Sequence, residues 1–144
     1  MRCHCREIEH GSADYQESVV LRNRVLREPL GLEFTAQEQA EDRESIHLAA
    51  WLGDVLAGCL VLTPLSEHVI RMRQVAVSEE LQGQGIGGEL VRCSEHVAAD
   101  HGYGEMMLHA RETVVPFYDR LGYIVRGDVF IEVTIPHQEM FKRL

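Results

Sequence analysis

The stretch Gln82-Gly83-Gln84-Gly85-Ile86-Gly87-Gly88 lies between an apolar strand that ends at Val77 and an amphipathic helix that begins near Gly85. Its glycines have no Cβ atoms, so a ligand can approach the backbone closely. The helix that follows directs its unbonded N–H groups and the positive end of its dipole into the same space. The stretch therefore predicts a phosphate-binding site, with a pyrophosphate as the expected ligand.

Two other phosphate-binding motifs fit this spacing less well. Gly83-x-Gly85-x-x-Gly88 has the letters of the dinucleotide fingerprint, which should follow its strand directly and open a βαβ unit. Here Ser78–Gln82 intervenes, and residues 89–144 are too few for the rest of a doubly wound domain. The nucleotide P-loop fails because Gly-Lys followed by Ser or Thr is missing. A flexible turn without a ligand is the remaining alternative.

Read as Gln82-x-x-Gly85-x-Gly87 after Arg73-Gln74-Val75-Ala76-Val77-Ser78, the segment resembles the acyl-CoA binding motif of the GNAT superfamily of N-acetyltransferases. Downstream, Val114-Val115-Pro116-Phe117-Tyr118-Asp119-Arg120-Leu121-Gly122-Tyr123 resembles the second motif of that family, a short helix that carries Phe-Tyr and ends at Gly-Tyr or Gly-Phe. Together the motifs cover roughly the C-terminal half of the chain. The resemblance implies an α/β (α+β) fold: a single GNAT-like domain over residues 1–144, with a mixed, mostly antiparallel sheet splayed between strands 4 and 5 and helices on both faces.

Composition is typical of a globular protein. The 144 residues carry a net charge of −9, which argues against a nucleic-acid surface and is compatible with a cationic or amine substrate. No apolar run is long enough to span a bilayer and no signal peptide is evident, so the cytoplasm is the expected location. The expected partners are acetyl-CoA and an amine, without nucleic acid or membrane, and a homodimer is left open.

The cysteines give two further expectations. Cys59 lies in an apolar strand run and Cys93 on the apolar side of a helix, so both are predicted to be small core residues, too buried to act as nucleophiles. Cys3-His4-Cys5 contains metal-ligand residue types, but successive residues of a strand face opposite ways, so His4 would point away from both thiols. No metal site is expected.

Hydrophobic patterns and turn residues predict the order of elements. They indicate that a first strand ends over 6–9, followed by a helix from about Ser12 to Arg27 and a short helix from Thr35, with Glu38 in its first turn, to about Asp42. A hairpin of 46–52 with 55–62, a strand at 69–77 and a helix from 85 to about 101 come next. A strand at 106–110, a helix at 113–121, and closing strands at 123–125, 129–135 and after Pro136 complete the order.

Strand 69–77 has an irregular pattern. Its apolar residues occupy even positions up to Met72 and odd positions from Val75. A β-bulge near Arg73 or Gln74 would explain this change in the alternation of apolar residues, and so would a strand that is buried on both faces. The GNAT resemblance favours the bulge and implies a splayed gap in which the pantetheine arm lies.

The resemblance assigns acetyl-CoA binding to backbone groups. The N–H and C=O groups of Val75, Ala76 and Val77 would pair with the pantetheine amides, and one N–H would polarise the acetyl carbonyl. The loop amides would hold the pyrophosphate: Gln82, Gly83, Gln84, Gly85, Ile86, Gly87 and Gly88.

Proton transfer needs side chains. Tyr118 matches the tyrosine that protonates the leaving thiolate in many GNAT enzymes, and the alternative is a core position like that of Phe117. His109, at the end of the strand beside the gap, and Glu41 are the first choices for the base. The base has further candidates, and a relay through ordered water would need none of them close to the amine: Glu44, His47 and His137.

The predicted function is an acetyl-CoA-dependent N-acetyltransferase in which the amine attacks the thioester directly, without a covalent enzyme intermediate. A small-molecule acceptor is expected because the acidic segment 33–44 suits a lid over a pocket. One alternative is a protein or peptide acceptor, which needs an open groove. Another is a non-catalytic acyl-CoA-binding module, which would not need Tyr118.

Overall fold

Seven strands and four α-helices form the framework of residues 3–144, the part of the chain that the computed structural model describes. The strands are β1 His4–Ile8, β2 Ile46–Leu52, β3 Val55–Pro64, β4 Val69–Val77, β5 Glu105–Arg111, β6 Ile124–Glu132 and β7 Ile135–Arg143. The α-helices are α1 Ala13–Arg22, α2 Ala36–Glu41, α3 Ile86–Asp100 and α4 Val115–Arg120. None of these helices is long and apolar enough to cross a membrane.

The strands form one sheet in the order β1-β2-β3-β4-β5-β7-β6. All neighbouring pairs are antiparallel except β4 with β5. This parallel pair is joined only at the start of each strand, Val69–Arg71 beside Glu105–Met107. Beyond these residues the two strands diverge, so the predicted splay between strands 4 and 5 is confirmed.

Helices cover both faces of the sheet and define two apolar clusters. In the first, Leu90 of α3 and Tyr118 of α4 pack with Leu48 of β2. In the second, Val19 of α1 packs with Ala49 of β2. Leu48 and Ala49 are consecutive on a strand and therefore point to opposite faces, which places α3 and α4 on one side and α1 on the other.

Local signals account for several helix boundaries. Ser12 caps α1 by accepting a hydrogen bond from the Tyr15 N–H. Thr35 and Glu38 form the predicted capping box at the start of α2, each side chain bonding the backbone N–H of the other residue. Helix α1 is shorter than predicted, because at Asn23–Arg27 the chain continues as a π-helical turn.

The prediction for the closing strands was wrong in two respects. Segments 123–125 and 129–135 were expected to be separate strands, but a single strand, β6, spans Ile124–Glu132. A strand was expected over 129–135, but β6 ends at Glu132 and β7 begins at Ile135. Val133 and Thr134 form the turn between them, with φ of +50° and +62°. Both residues are β-branched and disfavour this conformation, so their strand propensity concealed a two-residue hairpin turn.

Of the two cysteine predictions, one is confirmed and one is wrong. Cys59 is 1% exposed, and burial raises the pKa of its thiol to about 12, as expected for a core cysteine. Cys93 is instead disulfide-bonded to Cys5, which joins α3 to β1. The prediction of a simple core thiol at Cys93 was wrong because nothing local in the sequence shows that β1 lies over this part of α3.

Candidate active site

Strand β4 contains a bulge at the point where it leaves β5. Opposite β3, Arg73 pairs with Val61 and Ala76 pairs with Cys59. Gln74 and Val75 therefore occupy the place opposite a single residue, and Gln74 has φ of +54°. Val75 joins the same cluster as Met72, whereas Ala76 turns to the other face. The bulge predicted near Arg73 or Gln74 is confirmed.

A buried arginine holds this bulge from the α1 side. The Arg22 side chain is 2% exposed and its Nη1 pairs with Asp42 Oδ2 at 3.2 Å. The same Nη1 donates to Gln74 Oε1, and the Tyr15 hydroxyl donates to Asp42 Oδ2 at 3.0 Å. A charge at this depth needs such partners, since an unpaired one is strongly destabilising. This hydrogen-bond network thus couples α1 to the bulge. The sequence does not predict it, because the residues that form it are far apart in the chain.

One side of the splay opens into a cleft of about 550 Å³ that we call the glycine cleft. The first N–H groups of α3 have no intrahelical acceptor, and Gly85, the residue before α3, has φ of +83° and provides no side-chain cap for them. The residues around the cleft carry no charged side chain: Val25, Val75, Val77, Leu81, Gln82, Gly83, Gly85, Ile86, Gly87, Gly88, Thr113, Val114, Phe117 and Tyr118.

The residues predicted to bind the cofactor are mostly brought together here. All of them line the glycine cleft except Ala76 and Gln84. Ala76 is 1% exposed and faces the α1 side of the sheet. Gln84 is exposed on the loop.

A second cleft of about 700 Å³ lies next to the first, and we call it the arginine cleft. Residues shared by the two clefts make them continuous: Val25, Val75, Gln82, Val114 and Tyr118. The remaining residues of the arginine cleft are Leu26, Arg71, Met72, Arg73, Gln74, Leu108, His109, Ala110, Arg111, Glu132, Val133 and His137.

Tyr118 lies at the junction of the two clefts. Its ring packs edge-on against Phe117 and Tyr123, with centroids 5.0 Å and 5.7 Å away. Burial raises the pKa of Tyr118 to about 12. The phenol therefore stays protonated at neutral pH and can donate a hydrogen bond to an atom placed between the clefts.

His109 of β5 has two competing neighbours at one ring nitrogen. Its Nδ1 lies 3.0 Å from Arg71 Nη2 and 3.2 Å from Glu132 Oε1. Arginine can only donate a hydrogen bond and a carboxylate can only accept one. The Nδ1–H tautomer bonds Glu132 and leaves a lone pair on Nε2, whereas the other tautomer accepts from Arg71 and carries its proton on Nε2.

His137 of β7 lies beside the same carboxylate. Its Nε2 is 3.6 Å from Glu132 Oε2, and its Nδ1 is 2.7 Å from the Ile135 carbonyl oxygen. Sequence reasoning missed Glu132, because only the pairing of β6 with β7 and of β7 with β5 brings it to His109.

The other base candidates lie elsewhere in residues 3–144. Glu41 is exposed on α2 and accepts a hydrogen bond from Gln37. Glu44 is exposed and His47 is buried against the Asp42 carbonyl oxygen. No residue of the acidic segment 33–44 lines either cleft.

The sequence model of the acetyltransferase (GNAT) family matches residues 13–123, which include the bulge, the glycine loop and Tyr118. The chain belongs to this family. Family membership identifies it as an acyltransferase, in agreement with the resemblance of its two motifs.

The chain resembles known proteins in sequence and, separately, in fold. YjcF of Bacillus subtilis, an uncharacterised N-acetyltransferase, is 28% identical over 110 residues, which are 74% of this chain and 78% of YjcF. An acyl-CoA N-acyltransferase from Pseudomonas aeruginosa superposes with a TM-score of 0.82 at 22% identity, covering 98% of this chain and 99% of that one. A GNAT family acetyltransferase from Elizabethkingia anophelis, solved with acetyl-CoA bound, has a TM-score of 0.73 at 17% identity, covering 99% and 98%.

Proposed function

We propose that this protein transfers an acetyl group from acetyl-CoA to the primary amine of a small molecule. The observation that carries the proposal is that the glycine cleft and the arginine cleft meet at Tyr118. The glycine cleft is lined by uncharged residues and bordered by a helix N-terminus, and the arginine cleft is lined by titratable side chains. The bound acetyl-CoA in the Elizabethkingia anophelis neighbour supports the choice of donor.

Acetyl-CoA fits the glycine cleft by its chemistry. The pyrophosphate would accept hydrogen bonds from the N–H groups that begin α3, where the helix dipole also favours negative charge. The pantetheine amides would pair with the backbone of Val75–Val77, which the splay leaves without a strand partner on the β5 side. A backbone N–H at the bulge would donate to the carbonyl oxygen as negative charge develops there.

The reaction then needs a group that accepts a proton from the amine and a group that donates a hydrogen bond to the leaving sulfur. The amine must lose a proton as its nitrogen forms a bond to the thioester carbon, and the bond to sulfur breaks to release a thiolate. His109, in its Nδ1–H tautomer, would accept the proton at Nε2. Tyr118 would donate a hydrogen bond to the sulfur. His109 rather than Glu41 is the proposed base because His109 lines the arginine cleft and Glu41 does not.

The acceptor is proposed to be a small molecule because the arginine cleft has a size typical of small-molecule sites. A protein or peptide acceptor remains the second candidate. The cytoplasmic location and the homodimer stay predictions, and the Cys5–Cys93 disulfide is of a kind that is rare in cytosolic proteins.

The test combines binding and turnover. Calorimetric titration should show acetyl-CoA binding to one site, and a free-thiol assay should show CoA release that depends on an added amine. Panels of small amines, amino acids and short peptides separate the two acceptor classes. Failure to bind acetyl-CoA, or thiol release at the same rate without any amine, would contradict the proposal.

A further inference from the structure

The arginine cleft has the opposite charge to the protein as a whole. Its lining includes three arginines, Arg71, Arg73 and Arg111, and one carboxylate, Glu132. The whole chain carries a net charge of −9. A local excess of positive charge in such a chain attracts an anion to this cleft specifically.

The charges of these arginines are poorly matched by protein groups. Arg73 Nη1 lies 3.4 Å from the Thr63 hydroxyl, and within residues 3–144 neither Arg73 nor Arg111 forms an ion pair with a carboxylate. Arg71 Nη2 is 3.8 Å from Glu132 Oε1, which is a long contact. Its Nε is buried without a hydrogen-bond partner in the described chain.

Arg71 and Arg73 also destabilise each other. They lie on the same face of β4, two residues apart and before the bulge. The pKa of Arg71 is lowered, first by burial and then by the positive charge of Arg73, although the charges of Glu132 and Glu139 oppose part of the shift. An anion bound between the two guanidinium groups would offset this repulsion and provide a charged acceptor in addition to the neutral partners His109 and Thr63.

The phosphates of CoA are unsuitable candidates for this anion. The helix N-terminus that suits a pyrophosphate borders the glycine cleft, whose lining includes none of these arginines. Arg71 is instead beside His109, where the proposed function places the incoming amine. The anion is therefore expected on the acceptor.

We propose that the acceptor carries a carboxylate or phosphate group in addition to its amine, and that Arg73 and Arg71 bind this group. The transfer step rests on the proposed function, but the anion site does not. An anion that draws Arg71 away from His109 leaves Nδ1 to donate to Glu132, which favours the tautomer that can accept a proton at Nε2.

The first experiment measures binding to the CoA-loaded protein by calorimetry. The probes are matched pairs: 4-aminobutyrate with butylamine, L-tyrosine with tyramine, and O-phosphoethanolamine with ethanolamine. The anionic member of at least one pair should bind about tenfold or more tightly than its partner, as expected for charge-assisted hydrogen bonds to arginine. The first two pairs report on a carboxylate and the third on a phosphate.

Three variants locate the site. Arg73→Gln should remove most of the preference for the anionic member of each pair. Arg73→Lys should retain part of that preference, because lysine keeps the positive charge but lacks the planar guanidinium group that binds an anion with two hydrogen bonds. Arg143→Gln, at the exposed far end of β7, should behave like the wild type. An unchanged CoA affinity in each variant shows that the fold and the glycine cleft persist.

The second experiment measures acetyl transfer to the same pairs and separates the two proposals. Arg73-dependent anion binding without transfer supports the anion site and contradicts the acetyltransferase function. Transfer with equal kcat/KM for both members of each pair supports the function and overturns the anion site. A preference that survives in Arg73→Gln, or failure of every anionic probe to bind, also overturns it.

Discussion

At Tyr118, burial limits what the phenol can do for the leaving group. Its pKa of about 12 lies well above that of an ordinary thiol, which is about 8.5. Complete transfer of the proton to a thiolate is therefore unfavourable. Donation of a hydrogen bond to the sulfur has no such penalty, and that is the role expected of Tyr118.

Replacing this tyrosine should test that role. Tyr118→Phe keeps the ring and its packing but removes one hydrogen bond to a charged atom, which is worth about 1.5–3 kcal/mol. We expect kcat to fall about 10- to 150-fold with acetyl-CoA affinity nearly unchanged. Steady-state kinetics with a working amine measure this, with Tyr103→Phe, outside both clefts, as the matched control. A kcat within about twofold of wild type would make Tyr118 a structural residue.

Glu132 determines which tautomer of His109 is available. Without its charge, Arg71 becomes the stronger partner of Nδ1, and the Nε2 proton then prevents His109 from acting as a base. Glu132→Gln should therefore lower kcat by about 10²-fold or more while the KM for acetyl-CoA changes little.

The conservative variant provides the control. Glu132→Asp keeps the charge and should recover part of the lost kcat, although its shorter side chain lengthens the contact. If Glu132→Gln and Glu132→Asp lose activity equally, the carboxylate acts by packing and not by fixing the tautomer. If neither loses activity, Glu132 does not fix the tautomer of His109.

At the level of elements, the start of α3 determines the width of the glycine cleft. A Cβ atom on Gly87 would lie 3.3 Å from Phe117 Cζ and 3.9 Å from Val77 Cγ2, both on residues that line the cleft. A Cβ on Gly88 would instead meet only the flexible end of Arg92, at 3.5 Å. Neither glycine has a positive φ, so both accept a side chain without backbone strain.

Gly87→Val should weaken acetyl-CoA binding about tenfold or more, because its methyl groups occupy space that the cofactor needs close to the backbone. Calorimetric titration measures the change, and thermal unfolding shows whether the fold survives. Ala99→Val, at the exposed far end of the same helix and outside both clefts, is the matched control and should bind within about twofold of wild type. Unchanged affinity in a folded Gly87→Val protein would remove this turn of α3 from the site.

Across the whole molecule, the sequence predicted those structural features that depend on a local pattern of residues. The change in the alternation of apolar residues along strand 69–77 predicted the position of the β4 bulge. The spacing of the glycines predicted the loop that lines the glycine cleft. Contacts between distant segments were not predictable in this way. Arg22 and Gln74 are 52 residues apart, and Cys5 and Cys93 are 88 apart. No local period records such pairings, because they depend on how the strands and helices stack.

A buried histidine makes the stability of the whole protein depend on pH. His47 is 3% exposed, and its Nε2 lies 2.9 Å from the Asp42 carbonyl oxygen. Burial lowers the pKa of His47, although the nearby Asp42 opposes part of the shift. The unfolded chain therefore binds a proton at His47 more readily than the folded chain does. This contribution to stability is present above the unfolded pKa of about 6.5 and is lost as the pH falls toward the folded value.

The free energy of unfolding should accordingly decrease from pH 7.5 to pH 5.0, with His47 contributing a slope of up to about 1.4 kcal/mol per pH unit. Urea denaturation at several pH values measures the slope. His47→Gln removes the titrating group, so its stability should vary less over this range even if it is lower at pH 7.5. His96→Gln, on the exposed side of α3, should keep the wild-type slope. Equal slopes in all three proteins would assign the acid sensitivity to other groups and leave His47 with a packing role alone.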